Sequence, residues 1–520
     1  MKRALLLLAL FCPPLLAAKE QVIHIGNWIE PRDLDPQRVL SGQEMRIVEN
    51  VFEPLVDLDP KTLNPIPAVA QSWTSSADGL VWTFKLRNDA KWSNGDLVTA
   101  EDFVYAWTRL LDPNTASEYA YFAYFIKNAE KFNSKKLADL NHLGIRAKDA
   151  HTLELTLESA TPYLLKLLYF PSLYPAHRKT IEKFGKNWTR PENMVSNGPF
   201  VLSKWEVNKI ISLKKSPTYR DKDHVTLTEV HFYPTENVMT EENMFRTGKL
   251  HVTWGIPAEK VATWKKSKKG EFQSDLLLMN HYNEFNITKK PLDDKRVRKA
   301  LVLAVDRTQL VNFVTKGNEP PAYAFNPPGI GDFKPKKRLP IDGSRIAEAK
   351  KLLAEAGYKD GNGFPTVELL YSTDANLKKV AEALQEMWKR NLGVSIGIVN
   401  QEYKVFLNTL RNHDFQISMT RWGADYDDPM TFFTLYVTGG GNNTIQFNNP
   451  KYDALVTEAG KNLPQAKRME LFQQIEDLLA TEAPINPLYY ESHNYLVSPS
   501  VVGLPHNRLA THPLKGVSLK

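Results

Sequence analysis

The stretch that decides the fold is TVELLYS (366–372), followed by NLKKVAEALQEMWKRN (376–391), VSIGIVN (394–400) and FQISMTRW (415–422). The first, third and fourth segments are short runs rich in apolar residues, whereas the second has the apolar spacing of a helix. A further helix is predicted near residues 403–410, which gives the order strand–helix–strand–helix–strand. This alternation predicts an α/β unit with a mainly parallel sheet. RWGADY (421–426) ends the last strand, where open α/β sheets bind ligands.

The rest of the chain predicts further elements and more than one domain. LVWTFKL (80–86) and the turn SNGD (93–96) indicate a hairpin, and the next helix has Thr99 as N-cap and Asp102 three positions on. Strands dominate residues 194–282, and helices dominate from Leu292 onward. One of these helices is predicted to begin at the N-cap Ser344 and to stop at Gly357. A chain of 520 residues is too long for one core, so two or three domains are expected.

The N-terminus has the pattern of a secretory signal peptide. Lys2 and Arg3 precede the apolar run ALLLLALF (4–11), and the segment PPLLAA (13–18) ends it, with cleavage predicted after Ala18. Cys12 leaves lipidation as an alternative, although Leu10 and Phe11 precede it where small residues are needed. After cleavage no cysteine remains, which excludes thiol catalysis. The protein is expected to be exported and soluble.

The charge pattern does not favour a nucleic-acid partner. The formal net charge is +7, and it becomes +5 when Lys2 and Arg3 leave with the signal peptide. The densest basic stretches, WKKSKKG (264–270) and KPKKR (334–338), lack interleaved aromatic residues that could stack on bases. They are interpreted as solvated loops.

RWGADYDDP (421–429) places three carboxylates together: Asp425, Asp427 and Asp428. A calcium loop is disfavoured because Pro429 and Met430 occupy the positions of a third ligand and the glycine. No HExxH or other paired-histidine spacing favours zinc. Asp425 and Asp427 could share a face as a general acid and base, but no other catalytic motif accompanies them. Asp427 and Asp428, together with Pro429, are predicted to cap the helix MTFFTLY (430–436).

Asp425 lies next to Trp422 and Gly423, which suits a positively charged group docked against the backbone. At this point the chain resembles the periplasmic oligopeptide-binding proteins of ABC importers, the extracytoplasmic solute-binding protein family 5. The resemblance runs over most of the chain, through the segments at 69–117, 189–208 and 285–307 and WGADYDDPMTFF (422–433).

The resemblance implies an α/β fold: a two-lobed, three-domain periplasmic binding protein of type II, in the large peptide-binding subclass. After a signal peptide at 1–18, lobe I (domain I) would combine residues 19–56, 194–282 and 490–520. Domain II would comprise residues 57–193, and lobe II (domain III) residues 283–489. A peptide would lie extended between the lobes and pair with them strand to strand through its backbone.

The resemblance also implies roles for individual residues. Asp425 would hold the α-ammonium group of the peptide. Backbone contacts would come from Gly423, Ser41, Gly42 and Gln43. Pockets for side chains would be lined by Trp422, Tyr119, Asn442 and Asn443. The positions where the family's enteric receptor meets the peptide carboxylate with basic residues are apolar here, namely Leu377, Leu410 and Met419. Arg411 and Arg421 are nearby, and a carboxylate contact by either of them is left open because a shift of one strand position turns a side chain to the other face.

The sequence therefore predicts a monomeric periplasmic receptor that delivers oligopeptides to an inner-membrane ABC permease. No catalysis, cofactor, metal or nucleic acid is expected. Two alternatives remain: a receptor for a murein peptide or another amino-bearing solute, and a secreted hydrolase that uses Asp425 and Asp427.

Overall fold

The computed structural model describes residues 20–267 and 270–520. The predicted signal peptide and Cys12 lie outside these ranges. Within them, no helix is both long enough and apolar enough to cross a membrane.

The described elements mix strands and helices along the whole chain. The strands are β1 Val22–Gly26, β2 Val56–Leu58, β3 Pro65–Pro67, β4 Ala70–Ser75, β5 Val81–Leu86, β6 Ile145–Asp149, β7 Thr152–Thr156, β8 Phe200–Glu206, β9 Ile210–Lys215, β10 Glu229–Tyr233, β11 Phe272–Phe285, β12 Val367–Ser372, β13 Ile396–Gln401, β14 Ile417–Gly423, β15 Ile485–Leu496, β16 Val501–Val502 and β17 Ser518–Leu519. The α-helices are α1 Gly42–Val51, α2 Ala100–Leu111, α3 Ala129–Asn133, α4 Leu164–Leu167, α5 Arg178–Phe184, α6 Val238–Arg246, α7 Ala258–Lys265, α8 Lys295–Leu303, α9 Arg307–Gln309, α10 Ile346–Glu355, α11 Ala375–Leu392, α12 Tyr403–Arg411, α13 Met430–Phe433, α14 Pro450–Ala459 and α15 Gln465–Glu482. A π-helical turn, Leu310–Thr315, follows α9.

One four-stranded sheet joins two distant parts of the chain, in the order β1-β10-β9-β8. β1 is parallel to β10, and the other neighbours are antiparallel. The side chains of Ile23 and Ile25 on β1 and of Phe232 on β10 are fully buried against this sheet. This sheet therefore unites residues from the two longer segments predicted for lobe I.

A second four-stranded sheet, β4-β5-β7-β6, is antiparallel and lies wholly within residues 57–193. The helix α2 begins where the sequence predicted, with Thr99 and Asp102 in a reciprocal capping box. Its inner face carries Phe103 and Trp107, which are fully buried.

The third sheet has five strands in the order β13-β12-β14-β11-β15. β12 is parallel to both β13 and β14, which confirms the parallel arrangement predicted for residues 366–423. β11 and β15 extend the sheet as antiparallel strands. One face of the sheet packs on α8, α10 and α11, where Leu301, Leu384 and Trp388 are fully buried.

β11 and β15 are the longest strands, and the predicted lobe boundaries at 282/283 and 489/490 fall inside them. Their pairing is irregular there: Leu276 pairs with Ser492 and Asn280 with Tyr490, so residues are left unmatched in between. A second shift follows at His281 and Tyr282. The pairing of the two strands is thus interrupted near the predicted lobe boundaries.

The prediction that Ser344 caps a helix is wrong. A 3-10 turn, Gly343–Arg345, precedes α10, and the side chain of Asp342 accepts the bond from the Ser344 N–H at 3.1 Å. Asp342 caps this 3-10 turn and places Ser344 inside it, so the capping position moves two residues earlier. The predicted stop is confirmed, since Gly357 follows α10 with φ +98°.

Candidate ligand-binding site

The candidate site begins at a free strand edge on β14. Its pairing with β12 covers Leu369–Tyr371 against Ile417–Met419 and stops there. On the other side, β14 stays paired with β11 as far as Gly423, opposite Met279. Within the described residues no strand pairs with the second edge of residues 420–423. An extended ligand can add to this edge as a short extra strand.

Asp425 stands just beyond this edge with an unpartnered side chain. It is partly buried, and in the part of the chain that the structure describes no hydrogen bond or ion pair reaches its carboxyl group. Burial raises the pKa of Asp425 to about 7. A desolvated carboxyl with no compensating partner is unfavourable for the empty protein, and a cation brought alongside it would relieve that cost.

Aromatic rings from residues 57–193 lie close to Asp425. Tyr119 contacts Phe170 and Phe122, with ring centroids 4.9 and 5.5 Å apart, and stacks on Tyr121 at 5.9 Å. Burial, and next the charge of Asp425, raise the pKa of both Tyr119 and Tyr121. The structure therefore brings Tyr119 and Asp425 together from two distant parts of the chain. Tyr121 was not predicted from the sequence; its only signal is its position two residues after Tyr119.

The segment Ser41–Gln43 starts α1, and most of its polar groups are used within the fold. Ser41 Oγ accepts from the Glu44 N–H at 3.4 Å, while Glu44 Oε2 accepts from the Ser41 N–H at 3.1 Å. The Gln43 carbonyl accepts from Asn27 at 3.4 Å. Within the described residues the N–H groups of Gly42 and Gln43 have no acceptor, as expected for the first turn of a helix. Burial is the main cause of the raised pKa of Tyr119, and the charge of Glu44 is a smaller one, so α1 lies within electrostatic range of that ring.

Trp422 and Gly423 occupy the end of β14. Trp422 is partly buried and packs against a hydrophobic core cluster. Its indole N–H lies 3.5 Å from Thr431 Oγ1. A Cβ at Gly423 would come within 2.8 Å of Met279 Cε, so the absent side chain leaves room for Met279. Both residues shape the edge to which a ligand strand would add.

The two asparagines of GGGNNTIQF (439–447) differ sharply in environment. Asn443 is buried, and its amide donates to the Val437 and Phe447 carbonyls at 3.1 and 2.7 Å. Its oxygen accepts from the Phe447 N–H at 2.9 Å. Asn443 thus holds its own loop together, whereas Asn442 is exposed.

Asp427 and Asp428 are engaged in structural contacts. Asp427 accepts from Lys166 Nζ at 2.6 Å and from the Gly331 N–H at 2.7 Å. Asp428 forms a bidentate pair with Arg468 at 2.9 and 3.0 Å.

The capping prediction for this pair is right for one residue and wrong for the other. Asp428 Oδ1 accepts from the Met430 N–H at 3.0 Å, at the start of α13. Asp427 does not cap that helix, because Lys166 and Gly331 take its oxygens. Among the described residues no group of histidine, cysteine and acidic side chains is arranged to hold a metal ion.

The apolar residues at the predicted carboxylate positions belong to packed regions. Met419 is 2% exposed and Leu410 is 6% exposed, while Leu377 is partly buried. Leu410 and Arg411 lie on α12 rather than on a strand. Arg411 and Arg421 are both exposed, and Arg421 lies two positions after Met419 and therefore on the same face of β14.

Comparisons with known proteins show what the chain as a whole is similar to. The family model of bacterial extracellular solute-binding proteins, family 5 (middle part), matches residues 64–444. The chain is 39% identical over 495 residues to the periplasmic oligopeptide-binding protein OppA of Escherichia coli K12, covering 94% of this chain and 90% of that protein. Among solved structures, the murein tripeptide binding protein MppA of Escherichia coli aligns with a TM-score of 0.82 and 32% identity, covering 96% of this chain and 99% of MppA. Haemophilus influenzae OppA in complex with RPPGFSPFR aligns with a TM-score of 0.80 and 33% identity, covering 96% and 99% of the two chains.

Proposed function

Because the chain belongs to family 5 of the bacterial extracellular solute-binding proteins, we propose that it is a periplasmic receptor that captures oligopeptides and delivers them to an ABC-type permease. Proteins of this family bind solutes for transport and are not enzymes. The engagement of Asp427 with Lys166 and Gly331 also leaves Asp425 without a second free carboxylate for hydrolysis.

The observation that carries the proposal is the unpartnered carboxyl group of Asp425 at the end of a free strand edge. An oligopeptide matches both features: its ammonium group pairs with Asp425, and its backbone adds to residues 420–423 of β14. In this direction the ligand runs antiparallel to β14. Main-chain hydrogen bonds supply affinity without reading side chains, which suits a receptor for many sequences.

The wider site draws on the other predicted residues. Tyr119 and Trp422 provide apolar walls beside the ligand backbone, and the N–H groups of Gly42 and Gln43 offer donors from the opposite lobe. The exposed side chain of Asn442 lines the outer end. The buried and fully engaged amide of Asn443 supports that loop from within.

Lobe I and lobe II are proposed to move relative to each other with the boundaries predicted from the sequence. Lobe I comprises residues 19–56, 194–282 and 490–520, domain II residues 57–193 and lobe II residues 283–489. The irregular pairing of β11 and β15 near residues 277–282 supports a hinge there, because unmatched strand residues can absorb a change in backbone angles. The receptor is proposed to act as a monomer, since one chain supplies every group of the site.

Two measurements test this function. Protein purified under native conditions is denatured, and the released small molecules are identified by mass spectrometry; peptides are expected. Ligand-free protein is then titrated with trialanine and with a linear diamine of similar length. Trialanine should bind much more tightly, because only it offers backbone groups to β14. Equal affinity for the diamine would favour a receptor for another amino-bearing solute, and recovery of murein peptides alone would favour that specialised ligand.

A further inference from the structure

Arg421 belongs to a row of side chains that crosses three strands. It pairs directly with His281 on β11, which in turn pairs with Tyr489 on β15. The imidazole of His281 stacks on the Tyr489 ring with centroids 4.4 Å apart and an interplanar angle of 16°. Side chains alternate along a strand, so this row lies on the face of the sheet opposite to Trp422.

The acidic group nearest to Arg421 is already held by another partner. Glu491 Oε2 lies 2.7 Å from His281 Nε2 but 3.9 Å from the Arg421 guanidinium. Burial acts to raise the pKa of Glu491, but the hydrogen bond and charge of His281 and the charge of Arg421 outweigh it and lower the pKa to about 2. Glu491 is thus a stable carboxylate whose short hydrogen bond goes to His281.

Two further carboxylates lie near this row, and both are engaged locally. Burial raises the pKa of the Tyr489 hydroxyl, the charges of Glu319, Glu491 and Asp374 raise it further, and the charge of Arg421 opposes the rise. Asp374 accepts from the N–H groups of Asn376 and Leu377 at 2.8 and 2.9 Å. Glu319 accepts from the Thr315 hydroxyl and the Gly317 N–H at 2.9 and 2.8 Å.

Arg421, in contrast, keeps its hydrogen-bond donors. Its side chain is 64% exposed, and within the described chain its guanidinium donates no hydrogen bond. A guanidinium offers a planar fork that matches a carboxylate with two parallel bonds. Each neighbouring carboxylate already accepts hydrogen bonds from other donors. The Arg421 guanidinium is therefore left without a hydrogen-bond acceptor among the described residues.

The position of Arg421 relative to Asp425 fixes what it can meet. It lies in the middle of the free edge, four residues before Asp425 along the chain, and an extended ligand advances by about 3.3 Å per residue. A peptide whose ammonium group lies at Asp425 and which runs antiparallel to β14 brings its second and third residues alongside Gly423, Trp422 and Arg421. Arg411, on the separate helix α12, has no such relation to the edge.

We propose that Arg421 binds a carboxylate carried by the second or third residue of the ligand and so makes this receptor selective for peptides that are negatively charged there. This inference rests on the proposed function. The carboxylate has two possible sources, the C-terminus of a di- or tripeptide or an acidic side chain in a longer peptide. His281 supports the selection by keeping Glu491 from turning to Arg421.

Calorimetric titration with matched peptides tests the proposal and separates the two sources. One arm compares trialanine with its C-terminal amide. The other compares tetra-alanine amides that carry glutamate or glutamine at the second or third position. Wild-type protein should bind the charged member at least about tenfold more tightly in one arm or both, and the arm identifies the source.

Two exposed arginines provide matched variants. Arg421→Gln should remove the discrimination while still binding the neutral peptides, whereas Arg411→Gln should keep it. The proposal is overturned if wild-type protein binds charged and neutral members equally in both arms, or if the preference survives in Arg421→Gln. If wild-type protein binds none of these peptides, the proposed function itself fails, which is a different result from binding without discrimination.

Discussion

The substitution Asp428→Ala should destabilise the protein strongly while leaving ligand recognition intact. The side chains of Asp428 and Arg468 are only 8% and 9% exposed, and two bonds of 2.9 and 3.0 Å join them. Among the described residues, the Ala459 carbonyl, at 3.0 Å, is the only further acceptor of Arg468. The substitution would leave a buried guanidinium without its counterion, which costs about 3–5 kcal/mol.

Differential scanning calorimetry converts this cost into a measurable shift. For a unit of about 200 residues, each kcal/mol lowers Tm by about 2–4 °C, so Asp428→Ala should lower the transition that includes residues 283–489 by roughly 10 °C. Asp425→Ala is the matched control from the same segment, and it should not lower Tm because its carboxyl group loses no partner.

A double variant separates the loss of the ion pair from the cost of an uncompensated buried charge. Replacing both partners, as in Asp428→Ala with Arg468→Met, removes the uncompensated charge and should recover much of the lost stability. A shift below about 2 °C for Asp428→Ala, or a double variant no more stable than the single one, would refute the account of this ion pair.

Three other predictions concern the domains and the titration of the site. Lys166→Met should cost roughly 3 kcal/mol in chemical denaturation because it strips Asp427 of its 2.6 Å partner, whereas Lys179→Met, 81% exposed, should cost almost nothing. Affinity for trialanine should fall as pH drops from about 7 to 5, because the raised pKa of Asp425 leaves it protonated in the empty site and an ammonium ligand needs the ionised form. Because the pKa of Asp425 is raised in the folded protein, the contribution of Asp425 to the free energy of unfolding is lost as the pH rises from about 4 to 7. The pH dependence of affinity and that of stability should both vanish in Asp425→Asn, and their persistence there would contradict the assignment. Small-angle scattering should show a smaller radius of gyration with peptide bound, and an unchanged radius with binding confirmed would count against hinge closure.

The sequence predicted best those features that depend on neighbours along the chain. The capping box of Thr99 and Asp102 closes within four residues, so the residue types alone determine it. The three parallel strands of residues 366–423 follow from apolar runs separated by helices. Ser344 shows the limit of this reasoning, because Asp342 two residues earlier accepts the Ser344 N–H and caps a 3-10 turn that contains Ser344.

The site depended on contacts that no local pattern contains. Asp425, Asp427 and Asp428 look alike in sequence, and they differ only because Lys166 and Arg468, distant in the chain, reach two of them. The free edge of β14 exists because β12 ends at Ser372, a few residues short of where β14 ends. The row that contains Arg421 could be predicted only from the register of three paired strands. One of them, β15, lies some 70 residues further along the chain.

The central claim is that Asp425 anchors the ammonium group of a peptide, and a calorimetric double cycle tests it most directly. Wild-type protein and Asp425→Asn are each titrated with trialanine and with N-acetyltrialanine. Removing one partner of an enclosed charge pair costs about 2–5 kcal/mol, so acetylation should weaken binding to wild-type protein by a factor on the order of a hundred. The same acetylation should cost Asp425→Asn little, because the charge it would pair with is already gone. Equal binding of free trialanine by both proteins, or an equal loss on acetylation in both, would contradict the assignment of Asp425.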